Sequence, residues 1–139
     1  MSINELQDEI IDEFEAFDDW FERYQLIIDY ANELKKNPFP EEDKNDTNLI
    51  DGCQSKVWFT CRLEEGKMII QGDSDALLVK GIVALLLHVL SGHTPQEVRD
   101  ADLYFVDRIG LREHLSPTRS NGVAAMLKQL KLFALAYSH

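Results

Sequence analysis

The chain has 139 residues, 45% of them hydrophobic, so length and composition predict one domain over 1–139 that buries about two-thirds of its unfolded surface without covalent staples. Its 25 acidic and 14 basic residues give a formal charge of −11, which repels phosphate backbones and anionic lipid and argues against nucleic acid or membrane as partners. Two cysteines, and an opening Met1-Ser2-Ile3-Asn4-Glu5 with neither the basic nor the apolar run of an export signal, predict free thiols in a reducing, cytoplasmic setting.

Ser2 followed by Glu5 is a capping-box pattern. Ile3, Leu6, Ile10, Phe14 and Phe17 then recur at helical spacing through an acidic segment, which predicts an amphipathic helix. A second helix should open near Asp18 as its cap, carry Phe21, Tyr24, Ile27, Ile28, Ala31 and Leu34 on one side, and stop by Pro38. Pro38 to Asn48 lacks periodicity and reads as a solvated loop, with Leu49-Ile50 after it offering a short strand.

From Val57 the period becomes two. Val57, Phe59, Cys61 and Leu63 share one face, Glu65-Gly66 supplies a turn, and Lys67 to Gln71 return with Met68 and Ile70 alternating, so an antiparallel hairpin is expected with Cys61 in its buried face. Gly72-Asp73-Ser74-Asp75 should end the sheet, with Asp73, Ser74 and Asp75 as candidate N-caps for a helix from Ala76 to about Ser91. That helix is apolar around most of its circumference. Lys80, Gly81 and His88 interrupt it, and it falls short of the ~20 residues a membrane span needs, so it reads as a core helix.

Gly92 can terminate it in the left-handed conformation, and Thr94-Pro95-Gln96-Glu97 combines a capping Thr, a Pro at the first helical position and a Glu at the capping-box position. Leu103 to Leu115 should form short helical turns. Ser116 to Gly122 opens the last helix, with Val123, Met126, Leu127, Leu130, Phe133, Leu135 and Tyr137 as its apolar positions. Two helices, a small antiparallel sheet and further helices make an α+β arrangement with helices on one sheet face.

Chemistry centres on Ile50-Asp51-Gly52-Cys53-Gln54-Ser55-Lys56-Val57-Trp58, where a cysteine follows a glycine between a polar loop and a strand. A thiol reacts as thiolate, helped by exposure and nearby positive charge, here Lys56, and Gly52 permits a positive φ. The local residues leave open both a reactive thiol and a buried structural cysteine. No other chemistry has a comparable pattern. Cys53 and Cys61 are too far apart for a Cys-x2–4-Cys zinc pair, and His88, His93, His114 and His139 add no ligand spacing to them. A redox Cys-x-x-Cys, a cysteine-protease signature and a phosphate-binding glycine loop are all missing from the sequence, so no cofactor or metal is expected.

Three segments together resemble the signature of the SufE family. They are Gly52-Cys53-Gln54-Ser55-Lys56-Val57-Trp58; Gly72-Asp73-Ser74-Asp75-Ala76 with Val79-Lys80-Gly81; and Leu115-Ser116-Pro117-Thr118-Arg119-Ser120-Asn121-Gly122. The likeness runs from the Trp20 region to the last helix and implies a SufE/IscU-like α+β fold. It also implies a sulfur acceptor serving a cysteine desulfurase, SufS-like or CsdA-like, in iron–sulfur cluster assembly, with the Suf scaffold complex downstream. Cys53 matches the family's sulfur-accepting cysteine. Gly52, Gln54 and Lys56 match the segment around it, Asp73, Ser74 and Asp75 the flanking segment, and Arg119 an arginine near the cysteine loop. The paralogous CsdE proteins share these segments, so the partner desulfurase stays open. A thiol-dependent enzyme and a purely structural binding module are the alternatives from other classes.

Overall fold

The computed structural model describes residues 1–111 and 117–138, the side chains of 117–121 excepted. Helix α1 (Ile3–Glu15) starts with the reciprocal capping box: Ser2 Oγ accepts from the Glu5 amide and the Glu5 carboxylate from the Ser2 amide, both at 3.1 Å. Helix α2 (Trp20–Leu34) is capped by Asp19, one residue later than Asp18, because the Asp19 carboxylate reaches the Phe21 amide at 2.9 Å. Ile27 and Ala31 are buried as expected, but Phe21 is 79% exposed: in the first turn of α2 it extends past the core. A short 3-10 turn (Glu41–Asp43) punctuates the loop that follows.

Strands β1 (Val57–Glu64) and β2 (Lys67–Ser74) pair antiparallel, Val57 opposite Ser74 and Glu64 opposite Lys67. Glu65 and Gly66 both take positive φ, 52° and 78°, the two-residue hairpin geometry that matches strand twist. β2 is three residues longer than its apolar alternation indicated, since Gly72, Asp73 and Ser74 continue the ladder instead of ending it. Gly72 is required there: a Cβ would lie 2.6 Å from the Phe59 ring and 2.9 Å from Val83. The expected Leu49-Ile50 strand is a single antiparallel bridge from Leu49 to Trp58. The hairpin's far end leaves the core, so Leu63 is 43% exposed and Cys61 only half-buried, contrary to the expected fully buried face.

Helix α3 (Leu77–Leu90) lies at the centre of the core, packed by α2 along one side and by β2 along another. The contact with α2 is backbone to backbone, because a Cβ at Gly81 would collide with the Ile27 carbonyl. Ala76, in extended conformation, is the N-cap and makes no side-chain cap bond, so the expected capping by Asp73 and Asp75 is not how α3 starts; Ser74 Oγ does accept from the Ala76 amide, at 3.3 Å. At the other end Gly92 adopts φ +86° and its amide donates to the Met68 carbonyl at 2.7 Å.

Helices α4 (Pro95–Asp100) and α5 (Phe105–Arg108) are short, and α4 carries the Thr94/Glu97 capping box with Pro95 in its first turn. The last helix, α6 (Pro117–Tyr137), buries Val123, Met126, Leu130 and Ala134. Leu135, at 51% exposure, and Tyr137, at 37%, lie off that stripe. Lys131 fastens α6 to the end of α4, its ammonium donating to the carbonyls of Val98, Arg99 and Ala101. Gln7, fully buried, performs a similar service for α1: its amide donates to the Asp102 carbonyl at 3.0 Å and accepts from the Phe105 amide at 3.1 Å. Met126, Val79, Phe59 and Phe14 belong to one continuous core.

The Gly81 approach makes a sharp test of this packing. Gly81→Ala removes a poor helix former, worth about 1 kcal/mol of stabilisation on an open helix, but forces α2 and α3 apart. The expected net result is a loss of about 1–3 kcal/mol in urea unfolding. A stabilised Gly81→Ala protein would show that the two helices do not meet there.

Candidate functional site

The loop that carries Cys53 is held at its base and turned by one glycine. The Ile50 amide donates to the Val57 carbonyl at 2.8 Å and the Phe59 amide to the Asn48 carbonyl at 3.1 Å, so residues 51–56 project from a closed base. Gly52 turns the chain at φ +91°, a conformation that costs a residue with a Cβ strain, as the sequence anticipated. On the far side the Asp75 carboxylate accepts from the Lys56 amide at 3.0 Å, while the Asp75 amide donates back to the Lys56 carbonyl at 3.2 Å. Asp75 thus latches the loop to the end of β2.

The Cys53 thiol is half-buried and points inward. Its Sγ lies 3.6 Å from the Gly122 carbonyl oxygen, a thiol-length hydrogen bond, in a small recess lined by Val79 and Ile82 of α3 and Val123 and Met126 of α6. The recess has a free volume of about 20 Å³, close to what one water-sized group needs. Burial pushes the Cys53 thiol above its ordinary pKa, so at neutral pH it rests protonated. The expectation that Lys56 activates the thiol is corrected here. Its side chain is exposed, its loop bonds are made by its backbone, and the thiol's shift is upward.

Asp73 and Ser74 are both buried, and neither touches the thiol in a bond the structure records. The Asp73 carboxylate accepts from the Ser74 amide at 2.7 Å and forms ion pairs with Lys80 of α3 at 3.1 Å and Lys44 at 3.4 Å. Lys44 also lies over the Trp58 ring, 5.9 Å from its centroid. Asp73 therefore ties the loop that precedes Cys53 to the central helix. Such a partly dry carboxylate is held by its two cations rather than by solvent. Gln54 is exposed beside the recess. The Arg119 side chain lies outside the described residues, although α6, which carries it, packs beside the thiol through Gly122 and Val123.

The apolar shelter of Val79, Ile82, Val123 and Met126 was not assigned to the site from sequence. Each is an ordinary core residue on its own helix, and only the folded chain gathers them around the thiol. Cys61 faces a different hollow, beside Asn48, Arg62 and Phe133, and burial raises its thiol to about 11. Among the described residues no group of three His, Cys, Asp or Glu side chains is placed to hold a metal ion, and no helix is long and apolar enough to cross a membrane.

Two expectations follow from this geometry. Asp75→Ala removes one of the two latch bonds at an exposed site, so stability should fall by about 1 kcal/mol or less, while alkylation of Cys53 should speed up because the loop opens more often. An unchanged alkylation rate would mean that Asp75 does not hold the thiol in. The second concerns Cys61, whose neutral form is favoured in the fold. Its contribution to stability is complete below the ordinary thiol value of 9.0 and is lost as pH rises toward about 11. Urea titrations across that window should therefore show a smaller decline for Cys61→Ser than for the unmodified chain.

The chain matches the family model SufE, described as an Fe–S metabolism associated domain, over residues 8–134. It is 40% identical over 128 residues to an uncharacterised SufE-like protein of Synechocystis, a span that covers 92% of this chain and 79% of that protein. In fold it is similar to a hypothetical protein from Thermus thermophilus whose solution structure superposes with a TM-score of 0.77 at 23% identity, covering 95% of both chains. The chain belongs to the SufE family of proteins associated with Fe–S metabolism.

Proposed function

We propose that this chain is a sulfur carrier: it takes persulfide sulfur from a cysteine desulfurase onto Cys53, stimulates that desulfurase, and passes the sulfur on for iron–sulfur cluster assembly. The observation that carries the reading is the Cys53 thiol itself. It sits on a loop turned at Gly52 and latched by Asp75, and it rests half-buried in a small recess lined mainly by apolar side chains. That arrangement suits storage and handover better than turnover, and we read the protein as an accessory factor rather than an enzyme.

The cycle has three steps. Docking releases the Asp75 latch and brings Cys53 out of its recess, where solvent and the donor's site restore the thiol to its ordinary acidity and it loses its proton. The Cys53 thiolate attacks the outer sulfur of the donor's cysteine persulfide. A new S–S bond forms on Cys53 as the donor's S–S bond breaks, and the donor leaves as a thiolate. Back in the recess, the extra sulfur atom has a space of about 20 Å³ among apolar side chains, away from water-borne thiols that would reduce it.

Gly52 supplies the hinge, and Gln54 and Lys56 form the loop surface that meets the donor. Asp73 and Ser74 hold the loop's surroundings in place, and Asp75 sets how readily the loop opens. Arg119, by its match to the family's arginine, would bond loop carbonyls or favour the thiolate. The donor is a SufS-like or CsdA-like desulfurase, the downstream acceptor a Suf scaffold complex, and the setting cytoplasmic.

Mass spectrometry after incubation with a desulfurase and cysteine tests this directly. The chain should gain one sulfur mass, located on Cys53. Cys53→Ser should abolish uptake with little loss of stability, whereas Cys61→Ser should leave uptake intact and cost less than about 1 kcal/mol, since its side chain is only half-buried. Arg119→Ala should lower uptake more than it lowers the melting temperature. Uptake that survives Cys53→Ser and stops with Cys61→Ser would overturn the assignment.

A further inference from the structure

On the other side of α3 from Cys53 lies a groove that the sulfur chemistry does not use. α3 turns Val79 and Ile82 toward the thiol and Leu87 toward this groove; five residues separate Ile82 from Leu87, a rotation of about 140°. The groove has a volume of about 760 Å³ and runs beside α2, with half-buried Leu26, Leu34, Ile69 and Leu87 on its floor. It continues past Leu26 into a second hollow of about 250 Å³ that ends at Phe21, the most exposed large apolar side chain described.

Its edge is acidic. Glu13, Asp29 and Glu33 line the main groove, and Glu22 lines the extension. Glu13 accepts the Tyr30 hydroxyl at 2.7 Å and Asp29 accepts the Gln25 amide at 3.1 Å; both donors are neutral, so these bonds cancel neither charge. Glu33 pairs with Lys36 at the surface, where such a pair is weak. An apolar trough edged by carboxylates, in a chain of net charge −11, is complementary to one kind of occupant: a helix with a leucine-like stripe flanked by Lys or Arg. α2 itself is 15 residues long, about 22 Å, which gives room for a docked helix of about four turns.

We propose that this groove is a docking site for a basic amphipathic helix of a partner protein, which it can hold while Cys53 remains accessible on the other side of α3. The assignment stands on the groove alone and is independent of the sulfur-carrier reading.

The test uses a dye-labelled peptide of about four turns with leucines at i, i+3, i+4 and i+7 and lysines on either side, read by fluorescence anisotropy against the full chain. A peptide of the same composition, scrambled so that its leucines share no face, is run beside it. The patterned peptide should bind at least about tenfold more tightly than the scramble. Asp29→Lys, an exposed change on the groove edge, should weaken binding about tenfold, while Asp46→Lys, an equal charge change outside the groove, should change it less than about threefold. Cys53→Ser should bind the peptide normally, which separates this result from the fate of the sulfur chemistry. Absence of binding, equal binding of the scramble, or equal losses from Asp29→Lys and Asp46→Lys would overturn the proposal. So would a dimer of the chain, seen by sedimentation and dispersed by Asp29→Lys, because the groove would then be filled by a second copy.

Discussion

The structure depends on the fact that α3 is apolar on nearly every side. Val79, Ile82, Val83, Leu85, Leu86, Val89 and Leu90 are all buried, and a helix of that kind is stable in water only if something covers each of its faces. α2 covers one by approaching until only Gly81 fits, and β2 covers another at Gly72, below Val83. α1 packs on α3 as well, and the flank at Val79 and Ile82 is closed by α6 and the Cys53 loop. Cys53 therefore rests where the wrapping of the central helix is completed by a loop instead of by a regular element. One position can thus be sheltered at rest and still belong to a segment able to open in the proposed cycle, since loops with few buried contacts sit at the low end of local stability.

Much of this was legible in the sequence because local rules and tertiary demands agree. The Ser2/Glu5 and Thr94/Glu97 boxes form as written, the Glu65-Gly66 turn takes its two positive φ values, and the period-two stretch becomes β1. The failures share a cause. Gly72-Asp73-Ser74 looks like punctuation because Gly, Asp and Ser favour turns, yet tertiary contacts override that preference: the Phe59 ring fills the space where a side chain at 72 would stand, and two lysines distant in sequence neutralise Asp73. Gln7 is the converse case. A polar residue in an acidic helix gives no sign that the start of α5 will bury it and use both ends of its amide.

The cysteine site divides in the same way. The position of Cys53 after a turn-forming glycine could be read locally, and the structure brings Gly122 beside the thiol and Asp75 onto its loop, one residue from each of the other two segments that resemble the SufE signature. What the sequence hid was the sign of the electrostatics. Lys56 stands close in sequence and invites the inference of a depressed pKa, but burial dominates and the thiol is shifted upward. Reactivity in the proposed cycle thus has to come from movement. Opening sacrifices the packing of one small side chain, the Gly122 contact and two exposed bonds to Asp75; at about 1 kcal/mol for each hydrogen bond this is a few kcal/mol, well within what a docking partner can supply through its preference for the open loop.

The distribution of charge is consistent with two faces that do different work. Carboxylates crowd α1 and α2, around the groove, whereas the thiol's surroundings are apolar and the nearest buried carboxylate, Asp73, is matched by Lys44 and Lys80. The groove and the recess are separated by the thickness of α3, about 10 Å. The groove carboxylates stand toward solvent, where water and salt weaken their field. Burial alone raises the Cys53 thiol in the resting state, with no acidic group among the causes. Negative charge can therefore gather on the face that would recruit a basic partner, while the resting thiol on the other face is governed by its burial.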